Sequence, residues 1–228
     1  MTTYPWGRGV LVYSGGADST VLLYHLKRMS LVKMAVFFDY GQASARQQLQ
    51  HVTDHCNDLS VELLQVKLPM PTQVGGVYER SFVPQVTDDA DGNVELEGEE
   101  LLEWRRKQWS WIEARNALFL TWAAGLAADR KLSRVYVGFQ EENEEASRDE
   151  DIDTRLPFVE ALNAALAFGS LSRPVRIVAP FLEMGLNKNA IADLGRTLRV
   201  PLERTYSCEF WPQCGVCGQC KRRDRAIG

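Results

Sequence analysis

The 228-residue chain is 45% hydrophobic and 25% charged, with a formal net charge of -4, a composition that suits a soluble globular chain long enough to bury a real core. No stretch approaches the roughly 20 unbroken apolar residues of a membrane span, and MTTYPWGRG lacks the charged start and apolar core of a signal peptide, so a cytoplasmic setting with no membrane partner is expected. The acidic balance argues against a protein that coats nucleic acid by electrostatics alone, and the basic run Lys221, Arg222, Arg223 and Arg225 reads as a solvated face.

In chain order, an apolar run at Val10 to Tyr13 predicts a first strand, and SGGADST leads from it into a helical pattern over Ser19 to Arg28. Further strands are predicted at Met34 to Phe38, Val61 to Leu68, Val135 to Phe139 and Arg176 to Pro180. Helices are predicted over Ala43 to Cys56, Glu113 to Asp129, Leu156 to Phe168 and Lys188 to Leu198. The stretch 70–111 breaks this rhythm. It contains DDADGNVELEGEELLEWRRKQW, dense in charge and poor in apolar period, and reads as an excursion over the sheet, either a lid or an insertion. Elsewhere strands and helices alternate, which predicts an α/β fold with a doubly wound, mainly parallel sheet. No repeat or low-complexity linker marks a second domain, so residues 1–228 are read as one domain.

In such a sheet, ligands bind beyond the carboxyl ends of the strands, where loops converge and helix N-termini point their amides outward. Three loops fall there: SGGADST, DYGQ with Asp39 and Gln42, and GFQEEN with Gly138 and Glu141. In the first, Gly15 and Gly16 permit close backbone approach, while Ser14, Ser19 and Thr20 bring hydroxyls to a helix start that favours an anion. The loop can cradle phosphate. It lacks the lysine of a G-x-x-x-x-G-K-[ST] loop and is not G-x-G-x-x-G. The plainer possibility is a tight strand-to-helix turn with Asp18 or Ser19 capping the helix.

Four of the five cysteines, Cys208, Cys214, Cys217 and Cys220, fall within CEFWPQCGVCGQC, whereas Cys56 stands alone in a helical pattern and reads as a small buried hydrophobe. The C-x5-C-x2-C-x2-C spacing gives four soft thiolates on one loop, with Gly215 and Gly218 allowing the turns. That set suits a tetrahedral structural zinc site over 208–220, and a redox pair of Cys217 and Cys220 is the weaker reading.

SGGADS directly after an apolar strand resembles the pyrophosphate loop of the ATP pyrophosphatase superfamily, with its adenine nucleotide alpha hydrolase-like fold. With DYGQ, ARNALFL at Ala114 to Leu120, VGF at Val137 to Phe139, LNKNAIADLGRTLRVP at Leu186 to Pro201 and TYSCEFWPQCGVCGQC, the chain resembles the 7-cyano-7-deazaguanine synthase (QueC-like) family in order over nearly its whole length. The resemblance implies an ATP-dependent carbon-nitrogen ligase. It would adenylate the carboxylate of 7-carboxy-7-deazaguanine, form the amide with ammonia, and dehydrate it to the nitrile with a second ATP, using magnesium and zinc and working as a homodimer. It implies nucleotide binding by Ser14, Gly15, Gly16, Asp18, Ser19, Thr20, Asn116 and Gly138, and catalytic roles for Asp18, Arg115 and Lys188. Cations and amides at these places would stabilise the charge that develops on the transferring phosphate.

Departures cluster on the acceptor side. Where the family carries Gly-Tyr-Pro-Asp-Cys-Arg, this chain has EEASRDEDIDTRLPF, which keeps Asp153 and Arg155 as candidate substrate contacts beside Gln42. Val-Pro-Gly before the Arg-Asn pair is replaced by residues 111–114, Trp-Ile-Glu-Ala, and the Arg-His after Gln42 by Ala43 and Ser44. A divergent ligase that passes the activated carboxyl to another amine, such as one on a protein partner in antiviral defence, is therefore an alternative. In that case the acidic excursion and Trp104, Trp109 and Trp111 would be partner surface. A tRNA-modifying sulfur transferase is a further alternative, and it would need a reactive cysteine outside the metal set, for which only Cys56 offers itself.

Overall fold

Short β-branched and aromatic runs become strands here, and the central ones, around Val10 and Val36, are buried on both faces, the condition that makes parallel strands read as continuous apolar sequence. The computed structural model describes residues 6–42, 44–68, 114–140, 153–169, 172–208, 213–215, 220–221 and 223–224. The strands are β1 (Gly9–Val12), β2 (Val32–Asp39), β3 (Glu62–Lys67), β4 (Arg134–Tyr136) and β5 (Arg176–Val178). They lie in the order β3-β2-β1-β4-β5, every pair parallel, with Val10 opposite both Met34 and Val135, and Val135 opposite Ile177.

The helices are α1 (Ala17–Arg28), α2 (Ala45–Asp58), α3 (Arg115–Asp129), α4 (Leu156–Ala167), the single turn α5 (Pro180–Glu183) and α6 (Lys188–Thr197). Alternation along the strands splits the core in two. Leu11, Tyr13, Ala35, Phe37, Tyr136 and Val178 pack with Leu22 and Leu26 of α1, Val52 and Cys56 of α2 and Ile191 of α6. Val10, Met34, Val36, Phe38, Val135 and Ile177 pack with α3 and with Val159 of α4. On α3 the buried face is largely Ala123, Ala124, Ala127 and Ala128, small side chains that let the helix lie close to the sheet. This is the doubly wound sheet that the alternation predicts.

Boundaries differ where local chemistry intervenes. The fifth strand stops at Val178 instead of reaching Pro180, because proline lacks the N–H that would continue the ladder and its fixed φ opens α5 instead. Helix α1 starts at Ala17, two residues before the predicted start, since the Gly16 carbonyl already accepts the Thr20 amide at 3.0 Å. Arg223 is not part of a solvated face. Its side chain is 13% exposed and its guanidinium turns back onto the Glu203 carbonyl at 3.3 Å. The excursion 70–111, Trp104, Trp109, Trp111, Arg222 and Arg225 lie outside the described residues. Among the described residues no helix is long and apolar enough to cross a membrane.

Strand β1 is central, and the chain winds from it to β2 on one side and β4 on the other. The crevice beyond the carboxyl ends of β1 and β4 is therefore the switch point where this architecture binds ligands.

Candidate nucleotide site and metal-binding segment

The loop after β1 is held by its own hydroxyls. Gly15 adopts φ +79°, and a Cβ there would stand 3.0 Å from Val52 Cγ2 and 3.2 Å from the Gln48 carbonyl, so glycine is required both by backbone and by space. The Gly16 carbonyl accepts from Ser19 Oγ at 3.0 Å and Thr20 Oγ1 at 2.8 Å. With its only proton committed there, Thr20 accepts from the Tyr13 hydroxyl at 3.0 Å, both residues being buried. Ser14 Oγ lies 3.0 Å from Ser19 Oγ and accepts the Gly16 amide at 3.4 Å. Thr20 thus braces the loop from beneath, while Ser14 stands exposed at its rim.

Asp18, on the first turn of α1, meets Lys188, the first residue of α6, with Oδ2 and Nζ 3.4 Å apart. Helix α6 begins there because the Asn187 side chain caps it, accepting from the Ala190 amide at 3.1 Å. Gly195 allows α6 to press on α1, since a Cβ there would lie 2.9 Å from Val21 Cγ2. From the β4 side, Gln140 bridges the pair. With its amide oriented to satisfy both neighbours, the nitrogen donates to Asp18 Oδ2 at 3.3 Å and the oxygen accepts from Lys188 Nζ at 2.8 Å. Gly138 closes the same edge, its missing Cβ lying 3.3 Å from Ser19 Cα.

At the end of β2, Arg115 donates to the Tyr40 hydroxyl at 3.3 Å, with its guanidinium carbon 5.7 Å from the centre of the Tyr40 ring. Tyr40 in turn leans on Phe119, which stacks on Phe38. Helix α3 is entered through Ala114 at φ 54°, a left-handed conformation unusual for alanine. Gln42 is spent on the local turn: its amide donates to the Phe38 carbonyl and Gln48 Oε1 and accepts from the Tyr40 amide. Asp39 accepts from the Gly41 amide at 3.2 Å. Ser44 is fully buried, and its hydroxyl has no partner among the described residues. Asp153 and Thr154 lead into α4, which Arg155 precedes in an extended conformation. The crossover from β4 to β5 puts this entrance at the carboxyl end of the sheet as well.

Cys208, Cys214 and Cys220 converge, with all three sulfurs within 4.8 Å of one another. The Cys208–Cys214 and Cys214–Cys220 separations are 3.7 and 3.9 Å, against about 3.8 Å for the edge of a tetrahedron with Zn–S bonds of about 2.3 Å. Cys214 is followed by Gly215 at φ +68°, and Cys217 lies outside the described residues. The donor set and spacing fit zinc. The segment leading to these thiols is clasped by α2: His55 Nε2 lies 3.1 Å from the Arg204 carbonyl, and His51 stacks on Tyr206. Burial lowers the His55 pKa, partly offset by the hydrogen bond to Arg204. Beyond the clasp, the Tyr206 amide donates to the Gly15 carbonyl at 2.9 Å and Ser207 Oγ accepts the Ala17 amide at 3.2 Å.

A family model described as queuosine biosynthesis protein QueC matches residues 8–228. The chain belongs to the QueC family. Similar curated proteins are the 7-cyano-7-deazaguanine synthases of Methanocaldococcus jannaschii, 30% identical over 96% of this chain and 94% of the relative, and of Methanothermobacter thermautotrophicus, 32% identical over the same shares. Among solved structures, NMN synthetase from Francisella tularensis is similar at 15% identity and a TM-score of 0.48, covering 99% of this chain and 79% of that one.

Within this QueC-family chain the fold brings Ser14, Gly15, Gly16, Asp18, Ser19, Gly138 and Lys188 to one edge of the crevice. Arg115 and Asn116 open α3, where Arg115 engages Tyr40 after β2. Tyr40, Gln140 and Ser207 join the site without having stood out in the sequence. Tyr40 and Gln140 sit inside DYGQ and GFQEEN, and Ser207 beside the first cysteine, so proximity to a motif was the available signal. Cys56 is buried and its thiol is pushed up to about 12 by burial, as suits a core residue and not a sulfur carrier.

Proposed function

We infer that this chain is an ATP-dependent carbon-nitrogen ligase that converts 7-carboxy-7-deazaguanine to 7-cyano-7-deazaguanine. The observation that carries the reading is Lys188 of α6 meeting Asp18 beside the Gly15–Gly16 loop, in a chain that belongs to the QueC family over residues 8–228. The names of the curated relatives supply the product.

In this reading the loop amides and the head of α1 hold the β- and γ-phosphates, and Lys188 stabilises the charge that builds as the substrate carboxylate oxygen bonds to the α-phosphorus and pyrophosphate leaves. Asp18 and Gln140 keep the Lys188 ammonium aimed. Ammonia then displaces AMP to give the amide. The amide oxygen attacks a second ATP, pyrophosphate leaves, and loss of the amide protons expels AMP to form the nitrile. Each AMP carries away one oxygen of the original carboxylate, so no water is released. Arg115, steadied by Tyr40, would serve the acceptor side with Asp153 and Arg155, while Gln42, its amide committed to Phe38, Tyr40 and Gln48, shapes the turn there. Magnesium would come with the nucleotide phosphates and offset their charge, and the cysteine set would hold a zinc ion whose part is structural, pinning the C-terminal segment.

The test is to incubate the purified chain with ATP, magnesium, 7-carboxy-7-deazaguanine and ammonium, and to follow AMP and the base by mass spectrometry. Nitrile with two AMP per base is expected. Amide as the final product, or AMP formed only when a protein acceptor is added, would replace the acceptor half of this reading, and absence of AMP under every condition would overturn all of it.

A further inference from the structure

The nucleotide loop is not self-sufficient. Its Gly15 carbonyl is paired with the Tyr206 amide, and the first amide of α1, Ala17 N–H, donates to Ser207 Oγ. Ser207 also lies against Gly16, its Oγ 3.5 Å from where a Cβ would stand. These contacts fall immediately before Cys208, in a segment whose path is fixed on one side by His51 and His55 of α2 and on the other by the thiol cluster. Two features remote in sequence therefore share two consecutive residues.

We propose that Ser207 is a positioning residue of the nucleotide loop, and that metal bound at Cys208, Cys214 and Cys220 sets the loop through it. The physical argument is one of freedom. A helix N-terminus binds phosphate well only when its amides are already aimed, because ordering them at the moment of binding costs conformational entropy. The Ser207 hydroxyl fixes the Ala17 amide, and the Tyr206 amide fixes the carbonyl that precedes Gly16. Both are placed by a backbone that cannot move independently of Cys208. Metal on these thiols, whose Cys208–Cys214 and Cys214–Cys220 pairs lie 3.7 and 3.9 Å apart, would tie Cys208 to two further points of the chain and so hold its neighbour Ser207 more firmly than the α2 clasp does alone. Nucleotide and metal are then coupled ligands, each strengthening the other's binding by the same factor.

This rests on the reading of the loop as an ATP site, so the experiment measures binding directly and without the deazaguanine. Calorimetric titration with ATP and magnesium is made on the metal-loaded chain, on Ser207→Ala and on Ser207→Thr, with metal content and thermal midpoint recorded for each. Ser207→Ala is expected to weaken ATP binding about five-fold, the scale of one net hydrogen bond, with metal content and midpoint unchanged, and Ser207→Thr to restore affinity to within about two-fold because it keeps the hydroxyl. In the wild-type chain ATP should slow metal transfer to a colorimetric chelator, and in Ser207→Ala that protection should vanish. Equal ATP affinity in wild type and Ser207→Ala, or equal protection of the metal, would overturn the proposal while leaving the ATP site intact. Failure of the wild-type chain to bind ATP would overturn both.

Discussion

Lys188 Nζ stands 3.4 Å from Asp18 Oδ2, across a separation of 170 residues, and Gln140 touches both. The pair is partly open, with the two side chains 27% and 34% exposed, so it adds little to stability, on the order of 0.5 kcal/mol. Its worth lies in where the cation is held. Lys188→Met should lower kcat/KM about 100-fold, the range for losing one preorganised charge stabiliser, with the urea midpoint almost unmoved. Steady-state kinetics beside equilibrium unfolding separates the two effects. A midpoint shift that accounts for the lost rate would show that the pair is structural.

Gly15 and Gly185 both adopt positive φ, at +79° and +64°, but only Gly15 is crowded. Alanine at Gly185 should cost about 1 kcal/mol, the backbone term alone. Alanine at Gly15 should cost about 2–3 kcal/mol, because its Cβ must also displace Val52 and meets the fixed Gln48 carbonyl. Urea unfolding of the two variants measures the difference, and equal costs would mean that α2 does not press on the loop.

The chain has five cysteines, and they should react in two classes. With metal bound, a thiol reagent should find almost none. A chelator should release the Cys208, Cys214, Cys217 and Cys220 set, and Cys56 should react only on unfolding, because it is buried with its thiol held near 12. Rapid modification of Cys56 in the folded chain, mapped by peptide mass spectrometry, would contradict its place in the core.

Stability should fall on mild acidification. Burial lowers the pKa values of His55 and His25 in the folded state, so below the ordinary histidine value of about 6.5 the unfolded chain binds more protons than the folded one. The contribution is fully present above that value and is lost as pH falls below it toward the folded values. Thermal midpoints recorded between pH 7.5 and 5.5 should decline, and His55→Gln should flatten part of the slope.

The doubly wound sheet, the tight glycine turn after β1 and the thiol spacing were legible in the sequence because each rests on a local pattern: period, glycine placement, cysteine interval. Pro180 closes the apolar run that predicts the fifth strand, yet it begins α5, since an apolar run shows where a chain is buried and not where its ladder stops. Gln140, Tyr40 and Ser207 could not be weighed from sequence. Each gains its meaning from a partner on another element: Lys188, Arg115 and Ala17. Ala114 presents the reverse case. Its φ of 54° explains why a glycine is the comfortable residue before the Arg-Asn pair, and this chain carries alanine there at a backbone cost of about 1 kcal/mol.

The hydrogen bond from Ala17 to Ser207 spans 190 residues, which fixes an order of events during synthesis. The ribosome makes the glycine loop near the start of the chain, yet the residues that complete it emerge only after the five strands of the described residues. A nascent or prematurely released chain ending before Tyr206 therefore carries the glycines and helix α1 without the contacts that aim them. Contacts this distant form late, so competence to hold nucleotide should be the last property the chain acquires as it folds.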